Sequence, residues 1–298
     1  MRLKVDRYEQ MLILASFVWG TSFVATKLGV EQADPIFFAF IRFTIGAEVL
    51  VIVAILVGSF DLSILKDKLI WGIGLLNAVG LALQNVGMTQ TSATNSVLLV
   101  DINVVFVALI ASVVLKEQLR PKTLMGMLIG LIGVAIVATE GDLSQMLSGT
   151  FIGNLIVFLA GVVWAFYIVY QKKAVDKHKD AYMTATGVIM ATAICSLPMT
   201  LLFTRNYSLT ATGMSMAIYL GVFGTAFAFL LYLYGLKGKG ATDSSIILLL
   251  EIVFAMFFAF AILAEMPTIA TAVGGALIVG SIIIVSFQEN GKGEKGTT

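Results

Sequence analysis

Four ionisable residues lie inside long apolar stretches of this chain: Arg42, Glu48, Asp101 and Glu251. A charge at the centre of a bilayer costs about 2.5–3.5 kcal/mol, so such groups turn toward the protein interior and take partners or ligands. Carboxylates at that depth can bind a cationic or hydrogen-bonding solute, or carry a proton. Glu251 lies eight residues beyond Asp243, which is ~12 Å into its segment at 1.5 Å per residue. Two readings of it stay open: a substrate ligand or proton-coupling group, and a structural carboxyl bonded to a neighbouring helix. Ser244, seven residues earlier, shares its face.

Asp101 and Arg42 fall at matching depths in their segments. A structural ion pair between them is the leading expectation. Asp101 lies about 200° around a helix from Asn103, so the two are not expected to face one cavity. The alternative is that Asp101 faces the pathway, as a second candidate for proton coupling, while Asn103 packs. Glu48 is a further candidate partner for Arg42, although six residues along one helix is poor geometry for direct pairing.

The chain repeats itself. Residues 87–121 lie over residues 235–269 without a gap, pairing Gly87 with Gly235, Thr94 with Thr242, Ser96 with Ser244, Phe106 with Phe254 and Glu117 with Glu265. Trp19 pairs with Trp164 at a slightly smaller offset. The same register sets Asn103 against Glu251, Asn77 against Thr225 and Gln84 against Tyr232. Polar midplane positions that recur in both copies suggest one shared cavity; ordinary interhelical hydrogen bonding is the competing account. Trp19, Trp164 and Tyr167 lie away from the interfaces where tryptophan normally concentrates. They could wall a binding site for apolar groups or organic cations, or pack the two copies together. The expected substrate-binding set is therefore Trp19, Asn77, Gln84, Asn103, Trp164, Tyr167, Thr225, Tyr232 and Glu251.

These residues need membrane helices to position them. The composition is 59% hydrophobic and 12% charged, with a mean hydropathy of +0.98, against about 25% charged residues in a soluble domain. Apolar runs long enough to span a bilayer fall near 9–29, 35–57, 67–86, 93–114, 121–139, 150–172, 181–204, 212–236, 241–263 and 267–287. The expectation is an all-α membrane protein of ten transmembrane helices. Each copy holds five segments, and five is odd, so the second copy must be inverted relative to the first, as in many secondary transporters. The expected units are 1–140, 150–287 and a disordered cytoplasmic tail, 288–298. Of the 19 Lys and Arg, all but Lys27, Arg42 and Arg205 fall at one set of alternate segment ends, which places both termini in the cytoplasm. The spans expected to line the pathway are the first, third, fourth, sixth, eighth and ninth. The fifth (Gly126, Gly130, Gly133) and the tenth (Gly274, Gly275, Gly280) carry small-residue seams suited to scaffold packing, which would also permit a homodimer.

The lone Cys195 and lone His178 make no disulfide framework or metal cluster. There is no nucleotide-binding glycine loop, HExxH or nucleophile elbow. No enzyme activity, cofactor, metal or nucleic-acid partner is expected; the expected partners are a small-molecule substrate and the lipid bilayer.

The stretch GMTQTSATNSVLLVDINVVFVALIASVVLKEQLRP and its copy GLKGKGATDSSIILLLEIVFAMFFAFAILAEMPT resemble the fourth-helix region of the EamA family, in the drug/metabolite transporter superfamily. Trp19-Gly20 and Arg42-Phe43 are similar to motifs of that family's first two helices. The family often has a proline directly after the positions of Asn103 and Glu251, where this chain has Val104 and Ile252. The resemblance implies a ten-helix secondary transporter of the cell membrane for small organic metabolites. The expected cargo is a polar or amphipathic metabolite such as an amino acid, moved outward by alternating access. An organic-cation or quaternary-amine carrier is the alternative; a non-transporting receptor or membrane-embedded enzyme is the alternative of another class.

Overall fold

The computed structural model describes residues 6–56, 58, 61–114, 121–142, 149–239 and 241–286. The sequence features at Arg2, Lys4, Lys116, Glu117, Arg120, Lys292, Lys295 and the tail from 288 lie outside them.

The described chain is built of helices: α1 (Arg7–Val30), α2 (Pro35–Leu56), α3 (Lys68–Met88), α4 (Ala93–Asp101), α5 (Asn103–Val114), α6 (Pro121–Thr139), α7 (Gly149–His178), α8 (Ala181–Phe203), α9 (Ala211–Tyr219), α10 (Ala228–Gly238), α11 (Ala241–Leu248), α12 (Leu250–Leu263) and α13 (Ile269–Ser286). A π-helical segment, Leu220–Phe227, joins α9 to α10 without a break, and a short 3-10 turn, Leu62–Lys66, precedes α3. Seven of the resulting rods are long and apolar enough to cross a membrane; Leu128–Thr139, Leu250–Leu263 and Ile269–Ser281 are shorter apolar helices. Leu56, Leu202, Phe203, Phe257 and Ile269 are among many large apolar side chains left exposed. So much exposed hydrocarbon fits lipid better than water.

Helix starts are set by local chemistry. Asp6 and Glu9 form a capping box on α1, and Ser92, Asp180 and Thr210 accept from first-turn amides of α4, α8 and α9. Side-chain caps satisfy donors that a helix cannot pair internally. At α4 a distant residue joins in. Glu265 Oε1 accepts from Ala93 N–H at 2.9 Å, and its Oε2 accepts from the Thr94 amide and hydroxyl, both at 3.0 Å.

Contacts recur in pairs between the two halves. Leu12 of α1 packs on Gly235 of α10, and Val157 of α7 packs on Gly87 of α3. Val157 is the repeat partner of Leu12, as Gly87 is of Gly235. The first-turn region of α1 meets Gly238 through Tyr8, and Lys27 near its other end reaches Met88. In α7 the order is reversed: Gly153 meets Gln90, two residues past Met88, and Lys172 reaches Leu236. Helices α1 and α7 therefore run in opposite directions. Outside this centre, α6 packs against α13. A Cβ on Gly133 would lie 2.7 Å from Gly274 O, and one on Gly274 would lie 2.8 Å from Gly133 O, so the two backbones approach as only small residues allow.

Candidate functional site

Two helices break where the polar positions fall. The rod from Ala93 to Val114 is interrupted at Ile102, between α4 and α5, and the rod from Ala241 to Leu263 at Leu249, between α11 and α12. At each break an amide bonds three residues back rather than four: Val105 N–H to Ile102 O at 3.0 Å, and Ile252 N–H to Leu249 O at 3.1 Å. No proline is needed for either interruption. The tightened turns rotate Asp101 and Asn103 relative to a straight helix, and both line the same cavity. The expectation that they could not do so is corrected.

That cavity measures about 100 Å³, room for several waters or one small solute. It is lined by Trp19, Ser22 and Thr26 of α1, Arg42 and Phe43 of α2, Gln84 of α3, Asp101 and Asn103 at the α4–α5 break, and Trp164 and Tyr167 of α7. Phe229 and Tyr232 of α10 and Glu251 at the α11–α12 break complete the polar and aromatic wall. Among the lining residues none comes from α6, α8 or α13. The second helix joins the wall, which the sequence had not suggested.

Seven of the nine substrate-site candidates lie on this wall. Asn77 and Thr225 do not line it. Asn77 is fully buried and donates through Nδ2 to Thr192 Oγ1 at 3.0 Å, joining α3 to α8. Thr225 accepts from Arg42 Nε at 2.9 Å. Arg42 also donates through Nη2 to Gly224 O at 3.3 Å. The expected Arg42–Asp101 ion pair is absent among the described residues. Arg42 is held by a hydroxyl and a carbonyl instead, and Glu48 is exposed.

The carbonyl of Gly224 belongs to the π segment. It also accepts from Trp19 Nε1 at 2.9 Å. A π turn shifts the backbone bonding to five residues back, as in Ala228 N–H to Phe223 O, and such turns occur often at functional sites. Gly221 and Gly224 admit α2 and α1 at close range, against Ile45 and Ser22. The sequence LGVFGTAF carries those glycines but no signal that specifies a π turn.

Three residues of the wall carry buried polar atoms that lack protein partners, as do Asn77, Asn85, Ser96, Gln171 and Ser244 away from it. Trp164 Nε1, Tyr232 Oη and Asp101 Oδ2 are buried and make no hydrogen bond in the protein. Trp164 meets Tyr167 edge to face at 5.0 Å, and Trp19 meets Phe229 and Tyr232, each at 5.3 Å. Arg42, Asp101 and Glu251 all line this space. Among the described residues there is no cluster of His, Cys, Asp and Glu suited to a metal ion.

Comparison with known proteins gives a consistent picture. An uncharacterized transporter of Archaeoglobus fulgidus is 26% identical over 284 residues, covering 94% of this chain and 97% of its own. The uncharacterized transporters YyaM and YoaV of Bacillus subtilis are each 27% identical, over 92% and 93% of this chain and 90% and 95% of theirs. A solved crystal structure, 20% identical, superposes on 95% of this chain and 99% of its own with a TM-score of 0.71, a likeness of fold alone. The model of the EamA-like transporter family matches twice, at residues 7–139 and 151–287. The chain belongs to that family: it is a multi-pass membrane transporter, not an enzyme.

Proposed function

We propose that the protein is a secondary carrier or facilitator for small polar or amphipathic metabolites, amino acids foremost, moving them outward across the cell membrane. In this reading ten transmembrane helices form two inverted five-helix repeats with both termini cytoplasmic, and alternating access operates around the central cavity. The observation that carries the reading is the set of unpartnered atoms on one aromatic wall. Trp164 Nε1–H and Tyr232 O–H are donors, and Asp101 Oδ2 is an acceptor. A buried polar atom without a partner costs about 1–3 kcal/mol. A solute bearing both a carboxylate and an ammonium supplies what both kinds of atom require. Trp19, Gln84, Asn103, Tyr167 and Glu251 complete the proposed binding set.

A second reading is an organic-cation carrier. It is favoured by two carboxylates, Asp101 and Glu251, facing one guanidinium, Arg42, among aromatic rings. Flux into proteoliposomes of amino acids, quaternary amines and sugars, preceded by thermal-shift screening, separates the two. Amino-acid flux that falls in Trp164→Phe and Tyr232→Phe supports the first reading. Flux of quaternary amines alone selects the second, and flux of neither class rejects both.

A further inference from the structure

Lys27 and Lys172 occupy the same position in the two repeats, spaced like Trp19 and Trp164. Glu31 and Asp176 also correspond, each four residues beyond its lysine, and Met88 corresponds to Leu236. Each lysine thus has two partners in reach. One is the carboxylate a turn further along its own helix. The other is the C-terminal end of the third rod of its repeat, where unpaired carbonyls and the helix dipole attract a cation.

Each lysine touches both kinds of partner, but the short contacts are opposite ones. Lys27 Nζ donates to Met88 O at 2.9 Å and to Thr91 O at 2.8 Å, with Glu31 4.0 Å away. Lys172 Nζ lies 2.7 Å from Asp176 and 3.5 Å from Leu236 O. Both lysine side chains are 17% exposed, so each is held mainly by protein partners rather than by solvent. Because α1 and α7 run in opposite directions, the lysines guard opposite ends of the bundle. Lys27 is ~28 Å along α1 from Tyr8, at 1.5 Å per residue, and Tyr8 packs beside Gly238 at the Lys172 end.

We infer that Lys27 and Lys172 are reciprocal latches of the transport cycle, positioning residues that close one end of the cavity at a time. A lysine on the carbonyls ties the first rod of its repeat to the third and shuts that end; a lysine on its own carboxylate releases it. Here the Lys27 end is latched, and at the Lys172 end the carbonyl bond is stretched to 3.5 Å while the carboxylate holds the lysine. One other pair of contacts at the two ends does not alternate in this way. Lys239 with Glu9 at one end and Thr91 with Asn154 at the other are repeat equivalents, and both are made. They are fixed supports about which the latches work. The inference rests on the carrier reading above.

The test uses full-length protein with Cys195→Ala and a reporter, Ser22→Cys, on the cavity wall. A membrane-impermeant maleimide is applied to right-side-out and inside-out vesicles. In the parent, labelling is faster from the Lys172 side. Asp176→Asn returns Lys172 to Leu236, so labelling from that side falls several-fold and labelling from the Lys27 side rises. Lys27→Gln raises labelling from the Lys27 side several-fold, while Lys27→Arg behaves as the parent. Unchanged rates, or equal changes on both sides, overturn the inference. Asp176 is 56% exposed, so its variant carries the test if Lys27→Gln fails to fold. Labelling needs no substrate. Shifted labelling with no flux of any solute removes the carrier reading and leaves the switch; flux with unmoved labelling removes the latch alone.

Discussion

Arg42 donates to Thr225 at 2.9 Å, and this bond has a counterpart in the other repeat, where Asn77 donates to Thr192 at 3.0 Å. Asn77 and Thr225 are repeat partners. The first bond ties α2 to the π segment before α10, and the second ties α8 to α3. One copy is neutral and wholly buried. In the other, a guanidinium takes part and reaches the cavity wall. The same packing contact is thus neutral in one repeat and reaches the cavity wall in the other.

Thr225→Val preserves shape but removes the hydroxyl, leaving Arg42 Nε without its acceptor. A buried charged donor left without its neutral acceptor in this way costs about 1–3 kcal/mol or more. The melting temperature in detergent is expected to fall for Thr225→Val and to stay near the parent for Thr225→Ser. Equal melting for all three proteins would show that Arg42 finds another acceptor at no cost.

Much of the cavity wall was legible because polar and aromatic types recur at matched positions where lipid would not tolerate them. Trp19, Trp164, Gln84, Tyr232, Asn103 and Glu251 were found that way. What failed was rotation about the helix axis. The separation of Asp101 from Asn103 assumed 100° per residue, and the turn at Ile102 breaks that rule. The Arg42–Asp101 pair was argued from depth, which says nothing of which way a side chain points. The π turn offers Arg42 a carbonyl that an ordinary helix would have kept for its own amides.

Glu265 joins the repeats by accepting from three donors at the start of α4. A carboxylate at a helix N-terminus contributes about 0.3–1 kcal/mol through the helix dipole alone. Glu265→Ala is expected to lower the melting temperature and to speed hydrogen exchange at the Ala93 and Thr94 amides. Glu265→Gln should fall between it and the parent. Exchange at those amides that matches the parent in both variants would remove this role.

Asp67 ties the start of α3 to the end of α7. It accepts from Lys177 Nζ at 2.7 Å and from the Leu69 amide at 3.0 Å, and pairs with His178 Nε2 at 2.8 Å. Burial works upward on this carboxyl, but these hydrogen bonds and the Lys177 charge outweigh it and hold it down to about 2. A carboxyl whose folded value is depressed contributes its stability fully above the unfolded value, about 3.9, and loses it as pH falls toward 2. With solvent screening the contribution is on the order of 1 kcal/mol. Asp67→Asn is therefore expected to melt below the parent at pH 6, with the gap closing between pH 4 and pH 2. A gap that persists at pH 2 would assign the loss to the cap geometry rather than to charge.

Glu251 sits just past the break between α11 and α12, on the wall shared with Asp101 and Arg42. If transport is coupled to protons, one of the two cavity carboxyls must take up and release them. Glu251 also packs at the crossing of α1 and α12, since a Cβ on Gly20 would lie 3.2 Å from its backbone oxygen. Motion of that crossing would carry its side chain with it. Glu251→Gln keeps size and hydrogen bonding but cannot titrate. The variant is expected to fold, to lose the dependence of flux on a pH gradient and to retain exchange of one substrate molecule for another. Flux measured in proteoliposomes with and without the gradient decides the matter. Unfolding would make Glu251 a structural group. An unchanged pH dependence would pass the role to Asp101, whose Asp101→Asn variant would then lose gradient-driven flux in the same assay.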